Sequence, residues 1–192
     1  NEEFCKRYNL DPNSFKIGIL ARLDEVKDHK TFLRGAAEFL KSENADFLIG
    51  GDGGHKEELV ALAKELDIEK NVHFLGEIKD PFSFLNAIQI NTLTSLSESF
   101  PYVILEGGKL KKPMVASAVG GIPSIIQDDF SGYTFKSGDY KDFANKLIKL
   151  KQDDALRIKM GENLNGLIEE KYSAISMAKT HIKIYKRAIL DK

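Results

Sequence analysis

The chain has 192 residues, a length that fits one ordinary domain and can bury a sizeable core. Hydrophobic residues make up 42% and charged residues 30%, which excludes a disordered chain, and a net charge of −1 provides no basic field to draw nucleic acid or a membrane surface. The single cysteine, Cys5, excludes an internal disulfide and suits a reducing, cytoplasmic setting, and no apolar run approaches the ~20 residues of a membrane helix.

Strand-like and helix-like segments alternate along the chain. "FKIGILA" (15–21) is a short apolar strand that ends at Arg22. "KTFLRGAAEFLK" (30–41) places Phe32, Leu33, Ala36, Ala37 and Leu40 at helical spacing. "ADFLIGG" (45–51) is again strand-like and stops at paired glycines, and "HKEELVALAKELDI" (55–68) is an amphipathic helix. "NVHFLG" (71–76) predicts a strand, and "DPFSFLNA" (80–87) a helix with Asp80 as N-cap and Pro81 in its first turn. "IQINTLTS" (88–95) predicts a strand and its exit, and "PYVILEGGKLK" (101–111) a helix. "PMVASA" (113–118) and "GYTFK" (132–136) predict two more strands, with a short helix between them near Pro123. Residues 139–152 and the tail from 153 are helical by pattern. Six strands separated by helices predict an α/β fold: a single Rossmann-like domain over residues 1–192, with a mainly parallel sheet and a helical tail over 153–192.

Ligands of such sheets lie beyond the carboxyl ends of the strands, so the residues after each strand are the candidates. Arg22 and Lys27 follow the first strand; two cations at one exit can clamp an anion, or simply pair with Asp24, Glu25 or Asp28 on the surface. "GGDGG" (50–54), which contains Gly51, lets backbone approach a ligand, or serves as a tight turn before the next helix. It does not match a dinucleotide fingerprint and follows the second strand. In "SESFPY" (97–102), Glu98 lies in a loop before a helix whose first amides, near Tyr102 and Val103, suit an anion. Glu106 falls one turn further on, among Val103, Ile104 and Leu105, where a carboxylate is either a buried acid paired locally or an acceptor for two neighbouring hydroxyls, as in a ribose diol. "AVGGIP" (118–123) offers small residues and free amides at Gly120 and Gly121. Phosphates want the cations and amides, and sugar hydroxyls want the carboxylates; a nucleotide-diphosphate sugar carries both.

The stretches "ARLDEVKDHKTFLRGAAEF", "LIGGDG", "VHFLGEIKD" and "SESFPYVILEGGKLKKPMVASAVGGIPSII" together resemble the C-terminal, donor-binding domain of family-4 (group 1) glycosyltransferases, one half of a GT-B fold. The resemblance implies catalytic roles for Arg22 and Lys27 on the donor diphosphate and for Glu98 on the donor sugar. It implies that Glu106 holds the ribose hydroxyls, that backbone from Ser99 and Phe100 to Tyr102 and Val103 meets phosphate or sugar, and that the loop from Gly76 to Ile78 cradles the base. It also implies a retaining reaction, a nucleotide sugar such as a UDP-sugar as donor substrate, and no cofactor or metal. The family often has Gly where Ser99 stands, Ala where Gly107 stands and Gly where Ala21 stands; no charged contact is removed by these departures.

The first residue is Asn rather than Met, so the chain is expected to be a fragment or a processed form. The resemblance implies that an N-terminal acceptor domain is its missing partner, that this piece does not turn over alone, and that any peripheral membrane contact belongs to the other half. A nucleotide-sugar epimerase of related fold and a non-catalytic binding module are the competing readings, and a nicotinamide dehydrogenase is disfavoured. The four histidines, His29, His55, His73 and His181, lack metal-ligand spacing.

Overall fold

A computed structural model describes residues 2–190. Six parallel strands form one sheet: β1 (Lys16–Leu20), β2 (Asp46–Gly50), β3 (Val72–Gly76), β4 (Ile90–Leu93), β5 (Met114–Ser117) and β6 (Gly132–Phe135), in the order β3-β2-β1-β4-β5-β6. The predicted α/β architecture is therefore observed. Helices between the strands are α2 (His29–Phe39), α3 (Lys56–Glu65), α4 (Pro81–Ala87), α5 (Tyr102–Lys109) and α6 (Ile122–Ile125). A short helix not expected from the sequence, α1 (Glu2–Arg7), precedes β1; its six residues are too few to show helical periodicity.

The four central strands β2, β1, β4 and β5 are buried on both faces, as a parallel sheet under two helical layers requires, while the edge strand β3 is mostly half-buried. Successive side chains point to opposite layers. On β2, Phe47 and Ile49 join Ile17, Ile19, Phe32 and Phe143 on one side, while Leu48 joins Phe84 and Ile88 on the other. The cap predicted at Asp80 is present: its carboxylate accepts from the amides of Phe82 and Ser83, with Pro81 in the first turn. The helical stretch after β6 is α7 (Tyr140–Gln152) followed by the expected tail, made of α8 (Asp154–Leu167), a π turn (Ile168–Tyr172) and α9 (Ala174–Leu190). It breaks at Asp153, whose side chain caps α8, and at Ser173, whose backbone is extended. The predicted end of the tail, residues 191 and 192, lies outside the described residues.

The two consecutive glycines of α5 have a packing reason. A Cβ on Gly107 would lie 2.5 Å from Asn91 Nδ2, and one on Gly108 would lie 2.1 Å from Ile168 Cδ1. Glycine weakens a helix by about 1 kcal/mol relative to Ala, but here it lets α5 press against β4 and the π turn.

The order of the strands has one consequence for function. The chain runs outward from β1 to β3 in one direction and from β4 to β6 in the other. The reversal lies between β1 and β4, and the loops leaving those two strands splay to opposite layers, which opens a crevice at their carboxyl ends.

Candidate functional site

Lys27 leaves the β1 exit and Glu98 leaves the β4 exit, and their side chains meet at that crevice. Lys27 Nζ lies 2.5 Å from Glu98 Oε1, and the two side chains are only 20% and 9% exposed. Lys27 ends a single 3-10 turn (Glu25–Lys27) whose start is capped by Asp24, which accepts from the Lys27 amide. Asp28 follows in a left-handed conformation, φ 43°, and its carboxylate accepts from the amide and hydroxyl of Thr31 to begin α2. Glu98 Oε1 also accepts from Ser95 Oγ at 2.7 Å. Among the described residues no bond is made by Glu98 Oε2, and Lys27 Nζ makes one of its three possible bonds.

Arg22 behaves differently. Its side chain is 81% exposed and pairs with Asp24 at 3.1 Å, one of the surface pairings that the sequence allows. It also lines a hollow of about 370 Å³ with Gly51, Asp52, Glu77, Ile78 and Pro81. Gly76 adjoins the hollow without lining it: the Gly51 amide donates to the Gly76 carbonyl at 2.8 Å. Arg22, Gly51, Gly76 and Ile78 are thus together at the exits of β1, β2 and β3. The Gly120–Gly121 loop after β5 lies directly against the segment that carries Glu98: a Cβ on Gly120 would stand 1.5 Å from the Glu98 carbonyl oxygen, and one on Gly121 would stand 2.4 Å from that of Ser99. Phe100 and Tyr102 are exposed at the same edge, while Val103 is partly buried against the core. No side chain caps the first turn of α5. Glu106 is half-buried on the second turn of α5 and makes no ion pair or hydrogen bond among the described residues, so the local partner that would make it a structural acid is not found. Among the described residues no three of His, Cys, Asp and Glu converge as a metal-binding group, and no helix is long and apolar enough to cross a membrane.

The sequence points to Lys27 and Glu98 as separate contacts and assigns no role to the hydroxyls of Thr94 and Ser95. The run "LTSLSES" of small hydroxyl residues after an apolar strand was the available signal. His29, two residues beyond Lys27, has no metal-ligand spacing in the sequence but a distinctive place in the fold. It is 1% exposed, and neither ring nitrogen has a hydrogen-bond partner among the described residues. Burial is the main cause that lowers its pKa to about 4; Asp24 opposes the shift, and Lys27 and His55 add to it. The imidazole is therefore neutral at neutral pH and adds no charge beside Lys27. A stability consequence follows. Unfolded His29 takes a proton near pH 6.5 and the folded side chain only near 4, so the unfolded state binds more protons in between. Stability from this group is intact above pH 6.5 and lost as the pH falls towards 4, by up to about 3 kcal/mol. Urea unfolding of His29→Leu from pH 7.5 to 4.5 should show a flatter pH dependence than the unsubstituted chain; parallel curves would assign the acid sensitivity to other groups.

The family model for the glycosyl transferases of group 1 matches residues 1–184. N-acetyl-alpha-D-glucosaminyl L-malate synthase of Bacillus anthracis is 28% identical over 186 residues, which are 97% of this chain and 49% of that protein. The chain thus spans about half the length of that relative. The solved C-terminal domain of a group 1 glycosyl transferase (LpcC) from Francisella tularensis is 29% identical with a TM-score of 0.77, over 83% of this chain and 87% of that one. A TarM variant from S. aureus, solved with fondaparinux, alpha-GlcNAc-glycerol and UDP, is 25% identical with a TM-score of 0.83, over 90% of this chain and 35% of that one.

Proposed function

The chain belongs to the glycosyl transferases of group 1, and from that premise we propose that it is the donor-binding half of a GT-B enzyme that transfers a sugar from a nucleotide diphosphate, UDP in the first instance, to an acceptor held mainly by another domain. The reading is supported above all by the Lys27–Glu98 pair at the crevice between β1 and β4, because each partner keeps unspent capacity. Lys27 can turn its remaining N–H groups to a phosphate without releasing Glu98, and the second carboxylate oxygen of Glu98 can accept from sugar hydroxyls.

The other roles follow from charge and position. Arg22 is exposed and loosely held, so its guanidinium can exchange Asp24 for the diphosphate. The uncapped start of α5 and the Gly120–Gly121 backbone offer amides to the same anion. The hollow bounded by Gly51, Ile78 and Arg22 takes the base. In the reaction the bond from the anomeric carbon to the diphosphate breaks, and negative charge grows on the leaving oxygen. Fixed cations at that oxygen lower the barrier, which is the task a metal performs in other transferases. Retention of configuration and independence of metal are part of the proposal.

Glu106 provides the test. A carboxylate that accepts both ribose hydroxyls makes two charge-assisted bonds, and losing them should weaken UDP binding by roughly 10- to 100-fold. Calorimetric titration of Glu106→Ala with UDP checks this, with 2′-deoxy-UDP as a control that should lose less. An unchanged affinity removes Glu106 from the site. A thermal-shift comparison of UDP-, GDP- and ADP-sugars identifies the base, since a ligand at 100 times its Kd stabilises the folded state by about 2.7 kcal/mol; no shift with any of them opposes the whole reading.

A further inference from the structure

The Lys27–Glu98 pair joins two long side chains on two separate loops, 71 residues apart in the chain. Holding them in one geometry opposes their rotamer entropy. Something must hold the loops, and the end of β4 is where they are tied. The Leu96 amide donates to the Val26 carbonyl at 2.8 Å. The Thr94 hydroxyl is fully buried and points at two acceptors, the carbonyl of Lys27 at 3.0 Å and that of Asp28 at 2.9 Å. These two carbonyls flank the backbone of Asp28, which is the residue in the left-handed conformation that L side chains disfavour. One hydroxyl thus grips both sides of the strained residue that directs the chain out of the Lys27 turn. The next residue serves the other partner: Ser95 Oγ donates to the Glu98 oxygen that Lys27 also occupies. Ser95 is itself anchored from β5, since its carbonyl accepts from Ser117 Oγ at 2.6 Å.

We propose that the dipeptide Thr94-Ser95 at the exit of β4 is the positioning element of the site: Thr94 sets the backbone that aims Lys27, and Ser95 sets the carboxylate of Glu98. The inference rests on the proposed donor-binding role for its consequence in catalysis, but its geometric content stands apart from that role. Thr94→Val keeps the shape and removes the donor. The Lys27 carbonyl then loses its partner, the Asp28 carbonyl keeps the amide of Thr31, and the Asp28 turn loses its side-chain tie to the end of β4.

The test reads Lys27 directly. The 192-residue chain is treated with a limiting amine-acylating reagent, and the rate at Lys27 is compared by mass spectrometry with that at Lys30 in the same molecule. Loss of a buried hydrogen bond is worth about 1 kcal/mol, so Thr94→Val should raise the relative rate at Lys27 by about fivefold to tenfold. Thr94→Ser, which keeps the donor, should stay within about twofold. Ser95→Ala leaves both turn carbonyls bonded and frees one side of Glu98, so it should raise the rate at Lys27 too, and it serves if Thr94→Val does not fold. In the proposed two-domain enzyme, Thr94→Val should lower kcat with Thr94→Ser restoring it. The idea is overturned if Lys27 in folded Thr94→Val and Ser95→Ala is as slow as in the unsubstituted chain, or if Thr94→Ser fails as badly as Thr94→Val. The two proposals fail differently: a chain that binds no nucleotide sugar yet frees Lys27 in Thr94→Val disproves the donor role and leaves the positioning role standing.

Discussion

Lys27→Ala in the proposed two-domain transferase should reduce sugar transfer at least 10²- to 10³-fold, the usual cost of removing one fixed electrostatic stabiliser of a transition state, and it should also destabilise this chain. The second effect separates it from Arg22→Ala. Lys27 removal leaves the Glu98 carboxylate, 9% exposed, with Ser95 as its remaining partner. An orphaned, largely buried charge costs about 3–5 kcal/mol; the Ser95 bond should keep the loss near the lower figure. Arg22 is 81% exposed, and exposed ion pairs contribute at most about 1 kcal/mol, so Arg22→Ala should lower turnover with the unfolding midpoint almost unmoved. Lys27→Ala combined with Glu98→Gln should regain much of the lost stability and none of the activity, because the uncompensated charge is gone while the clamp is still missing. Unaltered turnover in Lys27→Ala would remove Lys27 from the chemistry, and an unaltered unfolding midpoint would show that Glu98 tolerates isolation.

Gly120→Ala is expected to be the most damaging single methyl in the site. The residue has φ +53°, and its added Cβ would fall 1.5 Å from the carbonyl oxygen of Glu98. Backbone cannot turn aside as a side chain can, so one of the two loops must move, and the Glu98 segment is the one that contacts donor in the proposed site. Gly138→Ala is the matched control, with φ +82° and no atom within 4 Å of its Cβ. It should cost only the left-handed strain, about 1–2 kcal/mol. Gly120→Ala should cost clearly more, in the range above 4 kcal/mol that marks exceptional substitutions, with nucleotide-sugar binding lost in any fraction that still folds. Denaturant curves for the two variants decide it: equal losses would mean that the clash relaxes freely and that the close approach has no mechanical role.

Much of the architecture was written in short windows of residues. Alternation of apolar runs such as "FKIGILA" and "ADFLIGG" with amphipathic segments was enough for a six-strand parallel sheet, because strand and helix periodicities are local properties. The cap at Asp80 was legible for the same reason, since donor and acceptor lie three residues apart. Boundaries were less so. Of the strand and exit predicted over 88–95, the strand is Ile90–Leu93, and where it ends within that window, with Thr94 and Ser95 forming a junction between loops, was not legible. The tail breaks at Ser173, which helical patterning alone did not indicate.

The residue types in the site, and their placement just past strand ends, were available from order and spacing, because parallel connectivity forces every exit to one edge. Which of them meet was not. Lys27 finds Glu98 across 71 residues, Thr94 finds Lys27 across 67, and Gly120 seats itself under the Glu98 backbone. Each of these contacts depends on β4 pairing with β1 and β5 with β4, a choice made by packing of the whole sheet and carried by no local window. The same packing leaves Arg22 on the surface and Lys27 half enclosed, so two cations that look alike in sequence acquire different environments, and different energetics, only in the folded chain.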